Sequence, residues 1–230
     1  MKNKIIITTI TLVTYILISN LVFAAEPAKP FIYSNFSREQ EKQINKIRRL
    51  SIEEVIEELQ GQEFLVNEDL LSRAIFVSFM NRRDEAIDFV LDYFELPISE
   101  VIDGKRINRG SNFFIGKKIL QVFPDESFAR ISEVYNSSSF IRKTNIIQAL
   151  GTMYGEEIKN FLIEALDDQD SLEEDDDDDI EIDGELMRIC DVAYNQLVLR
   201  YEIKDVLRTI SPAHTIEQRD SFIETLRGRL

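Results

Sequence analysis

Tryptophan is absent from this chain, and cysteine and histidine occur once each, as Cys190 and His214. A single cysteine excludes any disulfide within the chain, so the fold must hold by packing alone. Cys190 falls on the apolar stripe of a helical segment and reads as a small core residue rather than a reactive thiol. His214 has no cysteine or second histidine near it in sequence, which argues against a metal or nucleophilic role. Its expected place is the first turn of the last helix, where the positive helix end disfavours a charged ring. No glycine-rich phosphate loop, paired-cysteine motif or serine elbow is present. Carboxylate and tyrosine pairs leave no such signature, so a carboxylate-based hydrolase stays open as the last-ranked reading.

Positive charge is also scarce. Lys and Arg number 27 against 42 Asp and Glu, for a formal charge of −15 over 230 residues. That balance argues against nucleic acid and against anionic membrane surfaces as partners. The basic residues Lys105, Arg106, Arg109, Lys117, Lys118, Arg142 and Lys143 read as a solvated face; converging, they would make a basic patch. Proline (5) and glycine (8) are few, and hydrophobic residues make up 44%. This is the composition of a globular, helix-rich chain.

The N-terminus carries the one long apolar run. Lys2 and Lys4 precede an uncharged stretch from Ile5 to Phe23, and Val22-Phe23-Ala24-Ala25 offers small residues for a cut after Ala24. The expectation is a signal peptide over 1–24, an extended leader over 25–36 containing Pro27 and Pro30, and one domain over 37–230. The alternative is an uncleaved anchor, because the run approaches the ~20 residues that span a bilayer; membrane contact is expected through that segment alone. The chain is therefore expected to be exported, to a periplasmic or extracellular setting.

From there on the sequence is punctuated as helices. Ser51-Ile52-Glu53-Glu54 is a capping box, and Asn67 followed by Glu68 and Asp69 is a second start. Ala86 to Phe94, Phe113 to Phe123 and Phe128 to Tyr135 carry apolar residues at helical spacing, with Pro124 at a helix start. Pro97 is expected to open a short helix through Ile98, Val101 and Ile102 that ends at Gly104, with Lys105–Ser111 as connector. Ser211 and Pro212 are expected to open the last helix. No strand is expected.

The segment 138–201 holds two similar units. Phe140, Ile147, Leu150 and Tyr154 share one helical face, and Ile158, Phe161, Leu162, Ala165 and Leu166 form a partner ladder. In the second unit Leu186, Ile189, Cys190, Ala193, Tyr194, Leu197 and Tyr201 make the stripe, and Val206, Leu207 and Ile210 the shorter partner. Helix pairs recur at roughly 30–45 residues, the range of helical solenoid repeats. On Ile141-Arg142 running into Ala149-Leu150-Gly151, and on Met187-Arg188 running into Ala193 and Leu197, the chain resembles the HEAT-repeat and armadillo-like α-solenoid family. The second unit departs from it at Asn195 and Gln196, where the family prefers small residues. The resemblance implies an all-α solenoid of stacked antiparallel helix pairs that binds other proteins and carries no catalytic residues.

An acidic loop, 168–183, separates the two units. With Gly184 at the sixth place of a calcium loop, Asp179, Glu181 and Asp183 take the first, third and fifth. Cys190 then occupies the twelfth place, where calcium needs a glutamate, so the run reads first as a solvated acidic loop and only second as a weak calcium site. No other cofactor is expected. Asn35-Phe36-Ser37 and Asn136-Ser137-Ser138 fit the N-glycosylation pattern. The leading functional expectation is an exported, non-enzymatic scaffold or adaptor for another protein. A self-associating structural component of the cell envelope is the alternative.

Overall fold

The computed structural model describes residues 36–102, 105–171 and 187–230. Among these the chain forms eleven α-helices and one two-stranded sheet. Local chemistry sets most helix starts. Helix α1 (Arg38–Ile47) opens on a capping box in which Gln40 N–H donates to the Ser37 hydroxyl at 3.2 Å and Ser37 N–H donates to the Gln40 side chain at 2.8 Å. Helix α2 (Ile52–Leu59) repeats the device with Ser51 and Glu54, and α3 (Gln62–Leu65) is a single turn. Asn67 caps α4 (Glu68–Phe79), accepting from Leu70 N–H at 3.0 Å.

Helix α5 (Arg83–Tyr93) follows α4 after three residues. Helix α6 (Gly110–Val122) and α7 (Pro124–Val134) form the next pair, separated by Phe123 alone. Pro124 sits at the start of α7, where its missing N–H costs nothing. Helix α8 (Phe140–Leu150), capped by Ser139, leads through a turn into α9 (Glu156–Glu164). In that turn Gly155 has φ +149°, a conformation that side chains resist. Helix α10 (Ile189–Tyr201) and α11 (Ile216–Arg227) complete the chain.

The buried residues of all these helices join one apolar cluster, from Ile44 and Leu59 through Phe79, Leu120 and Leu150 to Tyr194 and Leu226. Each fully buried Leu, Ile or Phe side chain contributes about 1.5–3 kcal/mol, so this cluster is the main source of stability. Helix α4 packs on α6, α5 on α7, and α8 on α10. Between α5 and α6, Gly116 lets the helices close in, since a β-carbon there would lie 3.1 Å from Val90 and 3.2 Å from the Phe94 ring. The Phe161 ring joins α9 to α7 by edge contacts with Tyr135 at 4.9 Å and Phe128 at 5.9 Å.

Three sequence expectations are corrected. Residues after Pro97 form no helix: β1 (Ser99–Ile102) pairs antiparallel with β2 (Lys105–Asn108), in register Ser99↔Asn108 to Ile102↔Lys105. The apolar pair Val101-Ile102 ends a strand, and β2 occupies most of the expected connector. Val206, Leu207 and Ile210 likewise lie outside any helix. Glu202 (φ 48°) and Asp205 (φ 59°) turn the backbone left-handed, which stops α10 and prevents a second helix. The last helix starts at Thr215, not Ser211: Thr215 and Gln218 form a capping box at 3.3 and 3.0 Å. Among the described residues no helix is long and apolar enough to cross a membrane.

Candidate functional site

The polar groups that the helices bring together fall into four clusters. The most buried joins α10 to α11. Asp191, fully buried, takes bonds from both Arg188 and Arg219: Arg188 Nη2 at 3.0 Å, Arg188 N–H at 3.0 Å and Arg219 Nη1 at 3.1 Å. Arg219 is fully buried as well, and it also donates to the His214 carbonyl at 2.9 Å and the Pro212 carbonyl at 3.2 Å. Arg188 reaches Gln169 at 2.8 Å and Asp220 at 2.8 Å. Burial disfavours the Arg188 charge, but bonds to Asp191 and Asp220 outweigh it and raise its pKa. Cys190, beside this cluster, is fully buried, and loss of water pushes its thiol up to about 12. It is an inert thiol at neutral pH.

A second cluster sits where α8 meets the end of α9. Lys143, nearly buried, donates to Asp168 at 3.0 Å and Asp170 at 2.5 Å. Burial alone would lower this amine; the bonds to Asp170 and Asp168 win and raise it. Tyr135 donates to Asp168 at 3.2 Å, and burial together with that carboxylate raises its pKa strongly. Main-chain bonds from Ile189 to Asp170 (2.9 Å) and from Cys190 to Asp168 (2.9 Å) tie the same corner to the start of α10. The Ser171–Arg188 bridge closes it. This corner fixes both flanks of the acidic run. Asp179, Glu181 and Asp183 themselves lie outside the described residues.

The third cluster binds neighbouring pairs of helices end to end. Arg142 on α8 reaches Glu95 at 3.0 Å and Asp92 at 3.6 Å, and Ser139 also bonds Glu95. Asn145 donates to the Phe94 and Leu96 carbonyls at 2.8 and 3.3 Å, filling acceptors left open by the end of α5. Gln121 on α6 donates to the Thr152 carbonyl at 3.0 Å. In the fourth, the Arg200 guanidinium lies 3.1 Å over the Tyr154 ring and donates to the Met153 and Thr152 carbonyls.

Most of the basic residues singled out from the sequence are committed to ion pairs. Lys118 pairs with Glu68, Arg109 with Glu100, Arg142 with Glu95, and Lys143 with Asp168 and Asp170. Lys105 and Arg106 are on β2. Lys117 differs: its amine stands 5.0 Å over the Phe113 ring, and burial, with Lys118 adjacent, lowers its pKa to about 8. His214 lies in the turn before α11, not in its first turn. Its Nδ1 accepts from Ser211 N–H at 3.1 Å and its ring meets Phe222 edge-on at 5.4 Å. That is a turn-holding role.

These bonds are structural in kind: each carboxylate named meets a cation or a hydroxyl that belongs to a helix-helix contact. Among the described residues no three His, Cys, Asp or Glu side chains gather in a way that would hold a metal ion. The cavity between α2, α5 and α6, lined by Ile56, Tyr93, Asn112 and Gly116, holds about 10 Å³, the room of one water. Sequence reasoning missed Asp191, Arg219 and the Asp168–Asp170 corner, because their partners lie tens of residues away.

What the surface offers instead is a division between helices. Helices α6 and α8 carry no acidic residue, and the one acid of α10, Asp191, is buried. The partner helices are acidic: Asp84, Glu85, Asp88 and Asp92 on α5, Asp125, Glu126 and Glu133 on α7, Glu156, Glu157 and Glu164 on α9. On α4, Phe76 and Met80 lie one turn apart and are 37% and 44% exposed, with Phe76 stacked 6.1 Å from Phe123. No protein-family model, curated protein or solved structure matches this chain.

Proposed function

We propose that this chain is an exported α-solenoid of HEAT-like helix pairs that acts as a non-enzymatic scaffold, binding another protein along the first helices of its pairs. The succession α4/α5, α6/α7, α8/α9 and α10/α11 supports the solenoid reading, with first helix against first helix in α4–α6 and α8–α10. The observation that carries the binding reading is the division of charge just described. Acidic second helices keep their outer side hydrated, with Asp88 and Glu126 paired to Arg130 and Arg83 between α5 and α7, and Glu133 to Arg130 within α7. Helices α6 and α8 lack that cover, and on α4 the two acids, Glu68 and Asp69, sit in the first turn while Phe76 and Met80 are exposed at the other end. Protein contacts favour surfaces poor in carboxylates and rich in aromatic residues and Met. The polar clusters support the same reading, since they are committed to holding the helices together.

Capture from extracts of exported proteins, in low and high salt and with and without calcium, is the test. A retained polypeptide that is displaced by excess soluble chain is the expected result. Retention of nothing under any of these conditions contradicts the proposal.

A further inference from the structure

The hairpin β1–β2 stands out from the plan of the molecule. Helices α4 and α5 are joined by three residues and α6 and α7 by one, yet sixteen separate α5 from α6. Of that length, among the described residues, only Phe94 and Ile98 join the apolar cluster or pack on it. Neither strand lies along a helix, and Ile102, Lys105, Arg106 and Asn108 are exposed. A lone two-stranded ribbon adds little stability in water. Among the described residues it presents two rows of unpaired backbone groups, the usual template for an added strand.

The register says which groups those are. Two residues connect Ile102 to Lys105, so that pair exchanges both its hydrogen bonds, and bonding alternates along the ladder. The bond from Arg109 N–H to the Ile98 carbonyl, 2.7 Å, continues the alternation. The N–H and C=O of Arg106 and of Asn108 therefore point away from β1. Strand β2 also carries two cations, Lys105 and Arg106, one on each face of the ribbon, on a chain of net charge −15. The Arg106 Nε donates to Ser99 Oγ at 3.1 Å, which holds its side chain against the ribbon.

We propose that the outer edge of β2 takes up an extended acidic segment of the bound protein by strand addition, with the Arg106 backbone as its central contact. This rests on the protein-binding reading above and names where and what is bound. Main-chain bonds supply the attachment and the two cations select the sequence. A second copy of this chain is the disfavoured occupant: two β2 edges meeting about a two-fold axis at Arg106, the proposed central contact, would set Arg106 against Arg106, and directly opposed like charges destabilise a sheet.

Fluorescence anisotropy with two labelled eight-residue peptides tests this, one alternating glutamate and valine, the other lysine and valine. The acidic peptide is expected to bind the full chain about tenfold or more tightly than the basic one, a difference of ~1.4 kcal/mol. Arg106→Ala keeps the outward N–H and should lose a few-fold, whereas Arg106→Pro removes it and should lose about tenfold or more. Lys105→Glu with Arg106→Glu leaves the backbone intact and should reverse the preference. Binding of neither peptide, equal binding of both, or an unreversed preference in the charge-swapped variant overturns the proposal. So does a concentration-dependent dimer of the native chain that Arg106→Pro abolishes. Capture of the same polypeptide by native and charge-swapped chains would refute the strand-addition site and leave the scaffold reading standing.

Discussion

Gly151, at the end of α8, lies against the side chain of Gln196 on α10, so close that a β-carbon on residue 151 would overlap the carboxamide. The two helices meet here because one of them has no side chain at the contact. Gln196 is one of the positions where the sequence departs from a small-residue repeat pattern, and Gly151 supplies the missing space from the other side. Gly151→Ala should therefore destabilise the protein by about 1–3 kcal/mol through overpacking. Gln196→Ala in the same chain should return part of the loss, because the two residues share one contact. Urea unfolding of the two single variants and the double variant measures the coupling. Strictly additive losses would show that the contact is not what fixes α8 on α10.

Asp191 and Arg219 lie at 0% exposure, facing each other at 3.1 Å. Asp191→Ala removes from the interior the carboxylate that both Arg188 and Arg219 contact. The expected cost is about 3–5 kcal/mol, and replacing both with Leu should cost much less than the single change. Denaturant midpoints decide it. A single variant within 1 kcal/mol of the native chain, on the scale of an exposed pair, would mean that water reaches Arg219.

How much of this was legible in the sequence depends on how local the cause is. The caps at Ser51 and Asn67 and the start at Pro124 were readable, since each acts within three residues. The box Thr215–Gln218 is equally local, but Ser211-Pro212 just before it offers a competing start signal that the chain uses as a turn. The hairpin has its mark too, Asp103-Gly104 between two four-residue segments, a two-residue turn signal that equally fits a helix end. Val206, Leu207 and Ile210 have helical spacing, yet the backbone has positive φ at Glu202 and Asp205, which helical spacing does not encode. The ion pair of Asp191 with Arg219, 28 residues away, was beyond reach for the same reason.

Lys117 makes a prediction in pH. Its amine titrates near 8 in the folded chain and near 10.5 in the unfolded one. Between those values the unfolded state binds one more proton, so this group makes stability rise with pH. Below pH 8 both states are protonated and the full cost of the buried charge is present, on the order of 1–3 kcal/mol. Lys117→Met should accordingly be more stable than the native chain at pH 7, with an advantage that shrinks from pH 8 to 10.5. Thermal unfolding of both chains at pH 7, 8.5 and 10 reads this. An advantage independent of pH would refute the shifted titration.

Cys190 should be silent until the fold opens. With the thiol buried and held at about 12, a thiol reagent at pH 8 should label it at the rate of unfolding and no faster. Labelling should become rapid in denaturant. Fast modification of the native chain would place Cys190 on the surface and break the apolar stripe of α10.

The scaffold reading is tested most directly by photo-crosslinking in the exported compartment of the source cell. A photoreactive residue is placed in turn at Met80, on the exposed face of α4, and at Asp92, on the acidic face of α5. The expected result is an adduct with a different polypeptide from position 80 and none from position 92. Adducts from neither position, from position 92 alone, or only with a second copy of the chain would contradict it.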